Sequence, residues 1–172
     1  MTVEQYEQVL APAEGWLELH HGELVQKPRP IRRHWDLQRR LRDLLQPECQ
    51  RRGYLVDIEY AYRPLPQNEI WGADVAAIRE DRHQAVEKWL LGSPELVIEA
   101  KSRSNTKAEL RDKAMTTLAG DGAVEFWIVD TDTETVTVHS KLAGIRIYRQ
   151  QDIVIPSIIG SPLCPADDLF VG

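Results

Sequence analysis

Apolar residues follow two rhythms along the chain, and the switches between them mark its elements. In "WLELHHGELVQ" apolar and polar residues alternate from Trp16 to Leu19 and again from Glu23 to Gln26, around a turn-like His21-Gly22. That is the pattern of a β-hairpin, closed by Pro28 and Pro30. From about Ile31 to Arg52 the spacing lengthens: Ile31, Trp35, Leu37, Leu41, Leu44, Leu45 and Cys49 recur every three or four residues, with arginines on the other face. This predicts an amphipathic helix, which Pro47 is expected to kink or end early. β-Branched and aromatic residues predict a strand from Tyr54 to Arg63. Almost unbroken apolar runs at Ala73–Ile78, Leu96–Lys101 and Val124–Asp130 predict further strands, the second of them buried on both faces. A polar link with a helical turn separates the first two runs. Between the last two, Thr106 and Glu109 form a capping box that opens a second helix, and Gly120 and Gly122 stop it. "TVTVHS", "GIRIYR" and "DIVIP" predict three shorter strands before an irregular tail.

This order predicts an α/β protein: one mixed β-sheet flanked by α-helices, with the strand–helix–strand unit from Leu96 to Asp130 crossing over to a parallel neighbour. The chain carries no internal repeat or composition break, so residues 1–172 are expected to form a single domain, with a leader at 1–13 and a tail at 160–172 at its periphery.

Composition narrows the class. A 42% hydrophobic and 28% charged chain can build a core and is not a disordered one. It has no apolar run long enough to span a membrane, and its first residues lack the basic-then-apolar pattern of a secretory signal. Two distant cysteines, Cys49 and Cys164, speak against disulfides or a thiolate metal site and for a reducing, cytoplasmic setting. The net charge of −6 argues against a general polyanion binder. From Lys27 to Arg52, however, nine bases face three acids. Arg32, Arg33, Arg39 and Arg40 of that segment could contact a phosphate backbone.

Charge also interrupts two of the strands. Asp74 breaks "ADVAAI", and Glu99 and Lys101 end "LVIEAK". Side chains two apart on a strand share a face, so Glu99 and Lys101 alone would read as a salt bridge. An unpaired buried carboxylate is costly, however, and Asp74 therefore needs a partner or an ion. Two such strands can bring both acids to one point. Carboxylates without imidazole or thiolate favour a hard cation, Mg²⁺ or Mn²⁺. Signatures of nucleotide-binding loops, zinc sites and serine hydrolases are missing from the sequence. Trp35 and Trp127 are expected in the core rather than at a base-stacking surface.

Asp74 followed by Glu99-Ala100-Lys101 resembles the PD-(D/E)XK signature of restriction-endonuclease-like nucleases. "HGELV", a histidine at the head of the first helix, "ADVAAI", "SPELVIEAKSRS", Lys113 and "GAVEFWIVD" together resemble a large bacterial family of that superfamily, over about Glu14 to Tyr148. The resemblance implies a restriction-endonuclease-like fold and metal-dependent hydrolysis of DNA phosphodiesters. It implies that Asp74, Glu99 and the Ala100 carbonyl hold Mg²⁺ or Mn²⁺, and that Lys101 or Lys113 supplies the working ammonium. It adds Glu23 and His34 as further site residues. Ala73 stands where the signature has proline. A homodimer would suit cleavage of both strands. The competing reading is a catalytically inactive module that keeps the fold to bind nucleic acid or a protein.

Overall fold

The structure is a computed structural model and describes residues 1–102 and 105–170 of the chain. A short helix α1 (Val3–Tyr6) precedes a hairpin of β1 (Trp16–His20) and β2 (Glu23–Lys27), and the long helix α2 (Arg32–Gln50) follows. The central strands are β3 (Tyr54–Arg63) and β4 (Trp71–Arg79), then a turn of helix α3 (Glu80–Gln84), the short β5 (Leu90–Leu91) and β6 (Leu96–Ala100). Helix α4 (Lys107–Ala119) leads to β7 (Glu125–Asp130), β8 (Thr135–Ser140) and β9 (Gly144–Arg149). A small ribbon of β10 (Ile153–Val154) and β11 (Cys164–Pro165) and a 3-10 turn (Ala166–Leu169) end the described chain. Among the described residues no helix is long and apolar enough to cross a membrane.

Seven strands form one mixed sheet in the order β5-β3-β4-β6-β7-β8-β9. β6 and β7 are parallel, as the α4 crossover between them requires, and β3 pairs with β5 in parallel; the other neighbours are antiparallel. One face packs on α2 through Leu41, Leu45 and Cys49, which meet Val75, Leu96, Ile98 and Trp127. The C-terminal segment closes this core with Ala166 and Leu169. The other face carries Tyr62, Trp71, Val97 and Phe126 against Ala114 of α4. The hairpin docks at one end, where Leu19 bridges to Ile70 and Val3 of α1 covers both. This is the mixed α/β sheet flanked by helices that the sequence predicts.

Local chemistry explains the element ends. His21 and Gly22 both take positive φ, +51° and +80°, the backbone of a type I′ hairpin turn. Thr106 accepts from the Glu109 N–H while the Glu109 carboxylate accepts from the Thr106 N–H, closing the capping box that starts α4. Thr106→Ala should therefore cost about 1 kcal/mol in denaturant-melt stability, and loss of a cap is the only change expected.

The first helix departs from expectation at both ends. It continues through Pro47 to Gln50. Pro47 and Asp43, whose carbonyl loses its partner to the proline, both lie on the exposed side, while the Leu41-Leu45-Cys49 seam holds the helix against the sheet. At the N-terminal end, Ile31 and Trp35 are 73% and 40% exposed rather than buried. The apolar stripe runs on beyond the buried core. Trp127, by contrast, is fully buried, as expected.

Candidate active site

The site begins with a fault in the sheet. The β3–β4 ladder runs from Tyr54–Arg79 to Ile58–Val75 and resumes at Tyr60–Ala73, skipping Glu59 and Asp74. Val56 and Val75 face α2, yet Tyr60 and Ala73 face the α4 side, so both strands change the face they present across this break. Glu59 sits in the left-handed region at φ +52°, a strained conformation for a residue with a Cβ. The break aims two carboxylates at α2. Gln38 of α2, fully buried, donates to both Glu59 and Asp74, the latter at 2.9 Å. The His34 Nε2 lies 2.9 Å from the same Asp74 Oδ1.

β6 supplies the second acid next to the first. The Ala100 N–H donates to Asp74 Oδ2 at 2.7 Å, and the Asp74 N–H approaches Glu99 Oε1 at 3.4 Å. Lys113 comes up from α4. Its Nζ lies 2.7 Å from Glu99 Oε1 and donates to the Gly72 carbonyl at 2.6 Å. Glu18 arrives from the hairpin, held by the Trp16 indole N–H at 3.1 Å and by His20 at 2.6 Å. A Cβ on Gly72 would stand 2.9 Å from Glu18 Oε1, so a side chain there would displace the Glu18 carboxylate from its present position.

Electrostatics show what the cluster lacks. Burial pushes the Glu99 carboxyl well above its ordinary range, opposed by Lys113 and reinforced by Asp74 and Glu18. Burial opposes ionisation of Glu18 as well, but the charge of Lys113 and the bond from His20 outweigh it and hold Glu18 down at about 2. Lys113 would be driven down by its own burial. Glu99 and Glu18 instead hold it firmly as an ammonium. One ammonium thus faces three acids, Glu18, Asp74 and Glu99, with the His20 and His34 imidazoles beside the first two, in a pocket where unpaired charge is expensive. A donor set of carboxylate oxygens short of positive charge fits a hard divalent cation. His34, Glu59 and Asp74 add a group whose ligand atoms lie within 4.8 Å of one another.

These groups line one cavity of about 650 Å³, rimmed by Lys27, Arg29 and Arg33. Of the residues singled out in the sequence, Asp74, Glu99, Ala100, His34 and Lys113 converge here. Lys101 also lines the cavity, its N–H still bonded to the Val129 carbonyl of β7 at 2.8 Å, but its Nζ donates to Asp130 at 2.7 Å. Glu23 does not come to the site: it is exposed beside the hairpin turn, paired across the ribbon with His20. The hairpin's acid in the cavity is Glu18, which faces inward only because the hairpin docks on β4. Among the helix arginines, Arg33 lines the cavity, whereas the Arg40 side chain is spent on the Asp168 carbonyl at 3.0 Å.

The whole chain has a counterpart among solved structures. The crystal structure of "a putative nuclease belonging to DUF820" from Anabaena variabilis ATCC 29413 superposes with a TM-score of 0.84, at 19% identity, over 99% of this chain and 97% of that one. At that identity the likeness establishes the fold. No curated protein matches the chain. The sequence does match a family model over residues 3–165, and the chain therefore belongs to the Uma2 family, described as "Putative restriction endonuclease".

Proposed function

We propose that this protein is a divalent-metal-dependent endonuclease that hydrolyses phosphodiester bonds in DNA. The observation that carries the reading is the meeting of Asp74 and Glu99, from two different strands, with the Lys113 ammonium at the bottom of a basic-rimmed cavity. Asp74 and Glu99, with the Ala100 carbonyl, would hold Mg²⁺ or Mn²⁺. When bound, such an ion polarises a phosphoryl oxygen and acidifies a water. The protein's own groups do the rest. Lys27, Arg29 and Arg33 draw the phosphate backbone to the opening. Lys113, fixed between Glu99 and the Gly72 carbonyl, places a positive charge where the phosphoryl oxygens gain negative charge. His34 and Gln38 hold the Asp74 carboxylate in orientation. Cutting both strands would call for two such cavities, which a homodimer provides.

The test is supercoiled plasmid incubated with the purified protein. Nicked and then linear product should form with Mg²⁺ or Mn²⁺ and none should form in EDTA. If folded protein leaves the plasmid supercoiled at saturating Mn²⁺, the chain is a binding module on a nuclease fold and this reading is wrong.

A further inference from the structure

A second groove, of about 730 Å³, opens beside the acidic cavity, and the two share a wall made of Trp16, Glu18, Arg29, Pro30, Glu59 and Gly72. Its character is different. Tyr6, Trp16, Trp35 and Trp89 bring their rings to it, with Arg29 at the junction. Two of these rings have work inside the fold: Trp89 packs edge-on against Tyr6 with Lys88 above it, at 6.0 and 4.3 Å. Among the described residues no other ring stacks on Trp16 or Trp35. Trp16 is nevertheless fixed in place, because its indole N–H donates to Glu18 Oε1 at 3.1 Å.

Trp35 and Ile31 belong to the same helical stripe as Leu41, Leu45 and Cys49, but they stand 40% and 73% exposed at the groove and cavity mouths. An apolar stripe that overruns its core asks for a cover. Charge restricts what that cover can be. The mouth of the adjoining cavity carries Lys27, Arg29 and Arg33, and Arg29 also lines the groove at the junction, beside Glu18 and Glu59, so an occupant that spans both brings negative charge at the junction along with flat apolar surface. A nucleotide has both. Its phosphate suits the basic rim, and its base suits an aromatic face, which gains stacking energy from any base. Bases in an intact duplex are stacked on each other and cannot present a face to a side groove.

Resting on the nuclease reading, we propose that the Trp16–Trp35 groove receives an unstacked nucleobase next to the phosphate in the acidic cavity. The substrate class is then single-stranded or locally unpaired DNA rather than continuous duplex.

Binding measured in EDTA, where cleavage is not expected, separates this inference from the nuclease reading. The probes are a labelled twelve-nucleotide oligothymidylate, the same backbone with abasic sites throughout, and a twelve-base-pair blunt duplex, followed by fluorescence anisotropy. The oligothymidylate should bind about 5- to 150-fold more tightly than the abasic strand of equal charge, and more tightly than the duplex. Trp35→Ala should remove most of that difference and Trp35→Phe should keep it. The slope of affinity against salt should stay constant across these variants, since the phosphates contacted are the same. Equal affinity for thymidylate and abasic strands, or thymidylate affinity unmoved by Trp35→Ala, overturns the groove assignment even if plasmid is cleaved. Base-dependent binding with no cleavage of either supercoiled plasmid or a single-stranded oligonucleotide at saturating Mn²⁺ leaves the groove assigned and removes the nuclease.

Discussion

Lys113→Met should destabilise the protein by about 3–5 kcal/mol, the range for a buried ion pair stripped of one partner. The lysine is almost wholly enclosed, and its Nζ is the cation nearest to Glu99, at 2.7 Å. Without it, Glu99, Glu18 and Asp74 share a low-dielectric pocket with no fixed positive charge. The double variant Glu99→Gln/Lys113→Met removes both charges of the pair and should regain much of the loss, because a neutral amide beside a thioether carries no such penalty. Plasmid cleavage should be lost in both. The double variant tests the stability account alone, because Glu99 is itself a proposed metal ligand; the catalytic role of the ammonium is read from Lys113→Met, assayed under conditions where its urea melt shows it folded. Lys101→Met should do far less to stability, since its partner Asp130 sits near the surface and exposed pairs contribute only about 0–1 kcal/mol. Urea melts and nicking rates on the four proteins decide the matter; equal losses at the two lysines would contradict this assignment.

The difference between the lysines shows where sequence is informative and where it stops. Lys113 lies in the buried stripe of α4, in step with Leu110, Ala114 and Thr117. The resemblance alone points to this residue in the sequence, although a lysine in step with the apolar positions of a helix is itself a signal. Lys101 was expected on the same face as Glu99 by strand alternation, and it lines the same cavity; what alternation does not show is that its ammonium is taken up by Asp130 at 2.7 Å. Local rules served well for the elements themselves. The Tyr54–Arg63 strand, the hairpin and the Thr106 capping box all follow from neighbours close in sequence.

The missed site residues depend on contacts far along the chain. Glu18 alternates with Leu17 and Leu19 like any outward-facing strand acid; docking through the Leu19–Ile70 bridge turns it into the cavity. Glu59 reads as a solvent-facing acid among Ile58 and Tyr60, and nothing in its neighbours announces a left-handed backbone or a break in the ladder opposite Asp74. Gln38 is an unremarked polar position on an amphipathic helix until two strands set carboxylates against it. Trp35 was expected in the core because its helical spacing is right; it instead lines an open groove with Ala61 and Gly72 of the sheet. A sheet that changes face can point carboxylates into a cleft without giving up the core on either side.

Asp74→Ala should reduce metal-dependent cleavage by well over 100-fold. Groups that merely orient a ligand change metal affinity or activity by about 10–100-fold, and His34→Ala should fall in that range, so removing the carboxylate they orient must exceed it. The fold should survive, for two effects oppose each other. The Ala100 N–H and the Gln38 amide each lose an acceptor, at about 1–3 kcal/mol apiece. Glu99 at the same time loses a like-charged neighbour that helps push its carboxyl up. Asp74→Asn is the companion variant, keeping the shape of the side chain while halving its acceptors. Calorimetric titration with Mn²⁺ adds a readout independent of turnover: both variants should lose the heat of binding seen for the unmodified protein, while His34→Ala should weaken it without abolishing it. Were Mn²⁺ to bind Asp74→Ala as it binds the parent, the ion would sit elsewhere, and the convergence of Asp74 with Glu99 would be an architectural pairing rather than the centre of the chemistry.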